Sequence, residues 1–406
     1  MLAQRKPSPD LRRPSSGKDD VTGLLRNVNS AAGNQLLVDR THWYAASNSE
    51  VQRLLDAPLT VEWEALSRRS AALLFLRPQW VIAWWRAFAE DGDKLALWYV
   101  RSNGRLSGIL PMMLRRGKLR SAMNYHTPSS GILAENDASA QALVHAVLVD
   151  GDASEVVLAG LDSTGPDPGV CRSAALAAGQ RVLVLPHERA CYIDTRDGWN
   201  AYSKKLGKEF RAEIRRYRRR LEERGAVTFE INKGEQNLPA LLDTAFAIEA
   251  AGWKQRSGTA IRSEPRVERF YAEIARWAAA EDMLRLCFLR VDGIPVAMLL
   301  ALEYRGKWHL LKTGYDEQYH RSSPGTLLLH DIIQHCYDHD IARIELHGDA
   351  QVHKRRWRPD SRLVQRFHLF PATVPGHIAW AHRGMRPWLK SLAIRLKLLS
   401  ESAHAI

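Results

Sequence analysis

Two apolar segments, each folded around a glycine turn, recur in this 406-residue chain: WYVRSNGRLSGILPMML over residues 98–114 and LCFLRVDGIPVAMLLALEY over residues 286–304. Asn-Gly and Asp-Gly between apolar runs are strong hairpin signals, because both residues tolerate the positive φ that a tight two-residue turn requires. In each half a Trp- or Tyr-bearing helical pattern leads into the hairpin, and in the first half Trp80, Trp84, Trp85 and Phe88 recur at the spacing of one packed helix face. Such self-similarity favours a duplicated fold. The length agrees, being too great for one ordinary core and suited to two domains.

The other elements read as α/β. Short helical patterns cover residues 51–55 and 61–66, strands are expected at 155–158 and 181–185, and a helix between them stops at Gly179. In the second half, residues 227–231 read as a strand and 238–251 and 268–280 as helices. Strands follow at 284–291 and 295–304, then at 342–346 and 364–370. Residues 1–34 hold few large apolar side chains and read as a disordered leader. Residues 35–195 and 196–375 then form the two domains. In the tail, 376–406, Met385, Trp388, Leu389, Leu392, Leu396 and Leu399 fall on one face of an amphipathic helix.

Fifty-eight Lys and Arg stand against 45 Asp and Glu, a formal charge of +13. A basic surface suits nucleic acid, anionic lipid, a phosphorylated cofactor or an acidic polymer. Apolar runs such as residues 296–302 fall far short of the roughly 20 residues of a membrane span, and the N-terminus does not read as a secretory signal. Cys171, Cys191, Cys287 and Cys336 are scattered beside apolar runs with no C-x-x-C pair, which fits reduced, buried thiols in a cytoplasmic protein better than zinc or disulfides.

Residues 308–336 read WHLLKTGYDEQYHRSSPGTLLLHDIIQHC: a strand, a polar turn, and a helix with Leu327, Leu328, Leu329, Ile332, Ile333 and Cys336 at helical spacing. Strand, small-residue turn and helix grip phosphate well, since the first helical turn carries unpaired N–H groups and roughly half a positive charge. Residues 199–224 read as a basic helix with Leu206, Phe210, Ile214, Tyr217 and Leu221 as its apolar stripe and Gly225 as its stop. It is either a solvated helix or a ridge bordering an anionic substrate or cofactor. No helix-turn-helix, finger or RNP pattern accompanies it, so sequence-specific nucleic-acid binding is not expected.

Four stretches resemble the acetyltransferase (GNAT) fold, and more narrowly the paired-GNAT family named for the cellulose-biosynthesis protein CelD, related to the FemAB peptidoglycan aminoacyltransferases. They are LRPQWVIAWW with GILPMMLRR, RRLEERG, EAAGWKQRSGTAI, and GYDEQYHRSSPGTLLL with ELHGDAQVHKRRW. The resemblance implies an α/β (α+β) fold of two tandem GNAT-like domains, each a mixed, mostly antiparallel sheet flanked by helices. GNAT enzymes hold the acyl-CoA pyrophosphate on an R/Q-x-x-G-x-G/A turn. Arg321, Ser322, Ser323, Gly325 and Thr326 occupy that position, with Pro324 where the pattern has its first glycine. Proline donates no N–H, so the cradle rests on the remaining amides, the hydroxyls and Arg321.

Acyl transfer from a thioester needs a base for the nucleophile, donors for the carbonyl oxygen and an acid for the departing thiolate. With the strand before the turn placed alongside the thioester, Tyr315 or Tyr319 is a candidate acid. Asp316, or the set Glu345, His347 and Asp349, supplies candidate bases. Where the family usually carries an aspartate, this chain has Glu345 on the strand and His347 before the glycine. Trp253, Lys254 and Lys354 suit the acceptor, since tryptophan faces stack sugars and lysine pairs with carboxylates. The expected activity is acyl-CoA-dependent N- or O-acyl transfer to a carbohydrate precursor or a small amine or hydroxyl acceptor, in exopolysaccharide or cellulose biosynthesis. Acetyl-CoA or another acyl-CoA is then the co-substrate, and no metal is expected. One alternative is an aminoacyltransferase of cell-wall synthesis, with charged tRNA as donor. The other is a non-catalytic scaffold whose tail contacts a polysaccharide synthase or the membrane surface.

Overall fold

The computed structural model describes residues 26–29, 35–70, 72–149, 153–252 and 256–384. A single mixed sheet of 15 strands runs through both halves. Both of its faces are buried, and alternation along the strands shows it. Leu284, Leu286 and Phe288 enter one core, while Cys287, Leu289 and Val291 enter another on the opposite face. In the first half Leu95 and Leu97 separate from Ala96, Trp98 and Val100 in the same way. Burial on both faces explains why these strands read as continuous apolar runs rather than alternating ones.

The duplication is visible strand by strand. In the second half, Val227–Asn232, Leu284–Val291, Ile294–Tyr304 and Lys307–Tyr315 pair antiparallel, and Arg343–Glu345 adds in parallel to the last. In the first half, Gln35–Arg40, Lys94–Ser102, Arg105–Arg115 and Lys118–Ser121 repeat this order, and Glu155–Asp162 adds in parallel. One constant offset relates the turn residues Asn103 and Gly104 to Asp292 and Gly293, and Arg116 and Gly117 to Arg305 and Gly306. All eight have positive φ, the requirement of such tight turns. The same offset relates a bulge at Ser107 to one at Val296.

Each half sends its final strand into the other. Arg181–Asp194, from the first half, pairs with Arg343–Glu345, whereas Asp360–Phe370, from the second, pairs with Glu155–Asp162. The two exchanged strands also pair with each other, from Asp360 opposite Tyr192 to Phe370 opposite Arg181. On one face the duplicated helices Pro78–Phe88 and Pro265–Ala280 meet, with the Trp80 and Phe270 rings perpendicular at 5.4 Å. The two tandem GNAT-like halves therefore share one sheet and, on this face, one core that runs through both.

The structure departs from the sequence reading at a few points. The basic segment is two helices, Trp199–Lys205 and Lys208–Glu222, because Leu206 is extended and Gly207 opens the second helix. Among the described residues strand pairing reaches back to Arg26, inside the expected leader, where Arg26–Asn29 pairs with the strand Gln35–Arg40. The rest of that leader, 1–25 and 30–34, lies outside the described residues. Helix Asp137–Val149 and strand Lys118–Ser121 escaped the sequence reading. All four cysteines are free and buried. Residues 374–384 are helical, while the apolar tail positions from Met385 onward lie outside the described residues. Among the described residues no helix is long and apolar enough to cross a membrane.

Candidate active site

The parallel pair at the end of the second half holds together only briefly. Lys307, Trp308 and His309 pair with Arg343, Ile344 and Glu345, and beyond that the strands part. A cavity of about 530 Å³ fills the gap, with Leu310, Leu311 and Leu346 at the point of divergence. Leu311 is a bulged residue, since Leu300 faces Lys312 while Ala301 faces Leu310. A bulge leaves one residue out of the ladder, and this one lies on the cavity wall.

The start of helix Pro324–Asp338 reaches the same cavity through Ser323, Gly325 and Thr326. Ser323 is left-handed, with φ +40, and proline takes the first helical position. No side chain caps this helix. A Cβ on Gly325 would meet only the Tyr315 ring, at 3.4 Å from Cδ1. The equivalent helix of the first half closes its own N-terminus. Asn136 accepts from Ser139 N–H at 2.9 Å, and Asp137 places a carboxylate in the first turn. Of these two equivalent helices, the second-half one is left without a side-chain cap, but Pro324 has no N–H and the Thr326 and Leu327 N–H groups both donate to the Ser323 carbonyl, so Gly325 supplies the first-turn amide available to an external anion.

The residues singled out from sequence fall into distinct places. Tyr315 lines the cavity beside Gly325, at the helix-start end. Asp316 accepts from Gln318 N–H at 2.9 Å and so caps the short turn Glu317–Ser322. The Tyr319 ring lies under the Arg224 guanidinium at 3.8 Å. Neither Asp316 nor Tyr319 is among the residues lining this cavity. Arg321 is exposed and Ser322 buried. The carbonyls of Arg321 and Gln318 accept from Arg220 and Arg224, which sets the basic helix against the back of the turn.

His347 is buried with φ +52, and its ring stacks on His309 with centroids 5.4 Å apart. Both of its ring nitrogens lack a hydrogen-bond partner. Burial, then the neighbouring His309, Arg362 and Lys354, hold its pKa well below the ordinary histidine value. It is therefore a neutral imidazole at physiological pH. Glu345 is buried in an ion pair with Arg362 at 2.9 Å. Asp349 is exposed, and it accepts from Arg189 N–H at 2.8 Å. Lys354 donates from Nζ to the His347 carbonyl, and burial lowers its pKa. Trp253 and Lys254 lie outside the described residues, although Gly252 just before them lines the cavity.

Sequence reasoning missed Glu249. This carboxylate is buried on the cavity wall, where Oε2 accepts from Ile261 N–H at 2.8 Å. The signal was available, because Glu249 falls on the same face of helix Leu238–Ala250 as the buried Leu242, Ala245 and Phe246. Also missed was a second cavity of about 600 Å³ between the halves, reached by Arg120, His126, His187, Glu188, Arg366 and His368. It shares Leu310, Leu311, Leu346 and Lys354 with the first. Those residues come from segments far apart in the chain, so no local pattern could gather them.

Residues 208–355 match the family model described as an acetyltransferase (GNAT) domain. The fold is a GNAT fold, here in tandem. The matched span runs from the basic helix to Arg355 and contains the parting strands and the uncapped helix of this GNAT domain. Among solved structures, FemX is 10% identical with a TM-score of 0.55, over 76% of this chain and 95% of its own. L-PGS from Bacillus licheniformis is 10% identical with a TM-score of 0.50, over 80% and 96%. A tandem GNAT protein from the clavulanic acid biosynthesis pathway is 14% identical with a TM-score of 0.40, over 81% and 98%. At such identities the likeness to FemX and L-PGS is one of fold alone. No curated protein matches the chain.

Proposed function

We propose that the chain is an acyltransferase that takes its acyl group from acyl-CoA in the cavity of the second half. The observation that carries this reading is the uncapped helix start at Ser323–Thr326, which opens onto a cavity leading to the divergence of the two strands. The Gly325 amide, the positive end of the helix and the hydroxyls of Ser323 and Thr326 hold the pyrophosphate. The apolar wall accepts the pantetheine arm, and the thioester lies near Leu311, whose main-chain N–H polarises the carbonyl oxygen.

Tyr315 lies five residues along an extended strand from Leu310, a distance of roughly 16 Å. It therefore serves the phosphate end of the donor. The wall shared by the two cavities is where donor and acceptor meet; Lys354 lies on it, and His347 lines the second cavity next to the shared Leu346. The neutral His347 imidazole removes the proton of the attacking amine or hydroxyl as the C–N or C–O bond forms. The C–S bond breaks, and Lys354, easier to deprotonate than an ordinary lysine, gives a proton to the thiolate. The resemblance to the CelD family favours a carbohydrate precursor as acceptor.

Calorimetry with CoA and acetyl-CoA tests the donor. The wild type is expected to bind both, and Gly325→Asp to bind neither, because the new carboxylate sits where the phosphate belongs. A wild type indifferent to CoA would remove the proposal. A second reading, with charged tRNA as donor, is supported by the exposed Arg215, Arg216, Arg219 and Arg220 on the helix that braces the turn. Steeply salt-dependent tRNA binding without a response to CoA distinguishes it.

A further inference from the structure

The walls of the second cavity carry more cations than carboxylates. Arg120, from the strand Lys118–Ser121, and Arg366, from the exchanged strand Asp360–Phe370, both line it. Neither has an ion pair with a carboxylate among the described residues. Arg366 donates at 2.8 Å to a neutral partner, Nδ1 of His187, and the Nε of Arg120 is buried without a hydrogen bond. Arg383 and Lys354 add two more cations to the walls, against one carboxylate, Glu188. Arg383 is already satisfied by Glu155 at 2.7 Å. Burial, then the nearby Arg115 and Arg366, disfavour the charged form of Arg120 by more than the Glu155 and Asp93 carboxylates favour it. A cation withdrawn from water beside like charges is costly unless an anion joins it.

The uncharged groups of the cavity are also left open. His126 and His368 are each 3% exposed, and both have an Nε2 with no partner. Nδ1 of His368 lies 2.7 Å from the Glu155 carboxylate, which only accepts, so that nitrogen carries the proton and Nε2 presents a lone pair. His187 has the opposite tautomer, since its Nδ1 accepts from Arg366 and its Nε2 carries the proton. The cavity therefore offers cations and an N–H at one set of positions and an acceptor for a hydroxyl or ammonium group at another. Its volume is that of a small-metabolite site.

We propose that this second cavity is the acceptor site and that it takes a small polar molecule carrying an oxyanion, phosphate or carboxylate, held between Arg120 and Arg366. The assignment as acceptor rests on the acyl-CoA reading of the adjoining cavity, with which it shares Leu310, Leu311, Leu346 and Lys354. The oxyanion site itself stands on the unpaired arginines and does not depend on the donor. The anion anchors the molecule, and its amine or hydroxyl reaches the shared wall beside His347.

The test uses the full chain in the Gly325→Asp background, so that anion binding at the helix start does not contribute. Thermal unfolding is followed against inorganic phosphate and against acetate at matched ionic strength, with calorimetry for affinity. Phosphate or acetate should raise the melting temperature in a saturable way, and whichever binds more tightly identifies the anionic group. Arg120→Gln and Arg366→Gln should each weaken that binding at least tenfold. Neither should lower the melting temperature of the unliganded protein, since each removes a charge that lacks its counter-ion. No saturable response to either anion, equal responses in both variants, or a loss of unliganded stability in both would overturn the proposal. CoA binding by the same arginine variants with Gly325 intact separates the two readings. Affinity equal to that of the unsubstituted protein leaves the donor site standing whatever the anion result. Absence of CoA binding beside arginine-dependent anion binding removes the donor and keeps the oxyanion site.

Discussion

Lys354 donates its Nζ proton to the main-chain carbonyl of His347, and so one contact ties a group on the wall between the cavities to one that lines the second cavity alone. The lysine lies on a short helical turn, Val352–Arg355, and the histidine precedes Gly348 in the loop after the strand Arg343–Glu345. Their side chains are held apart in role. One is a cation easier to deprotonate than usual, and the other is a neutral imidazole whose two nitrogens are buried without hydrogen-bond partners.

Removing either group should therefore affect turnover more than donor binding. Lys354→Met is expected to lower kcat by about 10²-fold or more, with CoA affinity near wild type. His347→Asn keeps a residue type that tolerates φ +52 but has no basic nitrogen, and it should lower kcat comparably. Release of free CoA thiol from acetyl-CoA measures both. A variant that lost CoA affinity in proportion to turnover would place the group in donor binding instead.

Calorimetric stoichiometry distinguishes the two halves. The fold is duplicated, but the first-half helix start is filled by the Asn136 side chain and faces the Asp137 carboxylate. One CoA per chain is the expected result. Two would mean that the side-chain cap opens.

Gly314 permits an approach that no other residue would. A Cβ there would lie 2.5 Å from the Cα of Glu249, backbone that cannot turn aside. Gly314→Ala should therefore force the helix Leu238–Ala250 away from the strand. The expected loss is about 1–3 kcal/mol of stability in urea unfolding. CoA affinity should fall with it if the first cavity takes the donor as proposed, because Glu249 and Gly314 both line that cavity.

The hairpins were legible because Asn103-Gly104 and Asp292-Gly293 announce themselves locally, and the apolar strands beside them have few alternatives. The exchange of Arg181–Asp194 and Asp360–Phe370 was not legible, since nothing within a strand names its partner. Ser323, Gly325 and Thr326, singled out by the strand-turn-helix pattern, line the first cavity. Asp316 and Tyr319 belong to the same polar turn but spend their side chains holding it, a difference that only the three-dimensional contacts reveal. The arginines of the second cavity come from strands separated by over half the chain. Their meeting depends on that same strand exchange.

The buried histidines make stability depend on pH with a definite sign. Burial, then nearby cations, depress His126 and His309 to about 3, and His347 is driven in the same direction. An unfolded chain has ordinary histidines near 6.5, so below that pH the unfolded state binds more protons than the folded one. Stability is fully present above about pH 6.5 and falls as the pH drops toward 3, by about 1.4 kcal/mol per pH unit for each such histidine. Urea midpoints measured from pH 7.5 to 5 should decline on the acid side only. His309→Phe, which keeps an aromatic ring beside His347 and Phe75, should flatten that decline by one histidine's share. An unchanged slope would show that His309 takes up its proton in the folded protein as readily as in water.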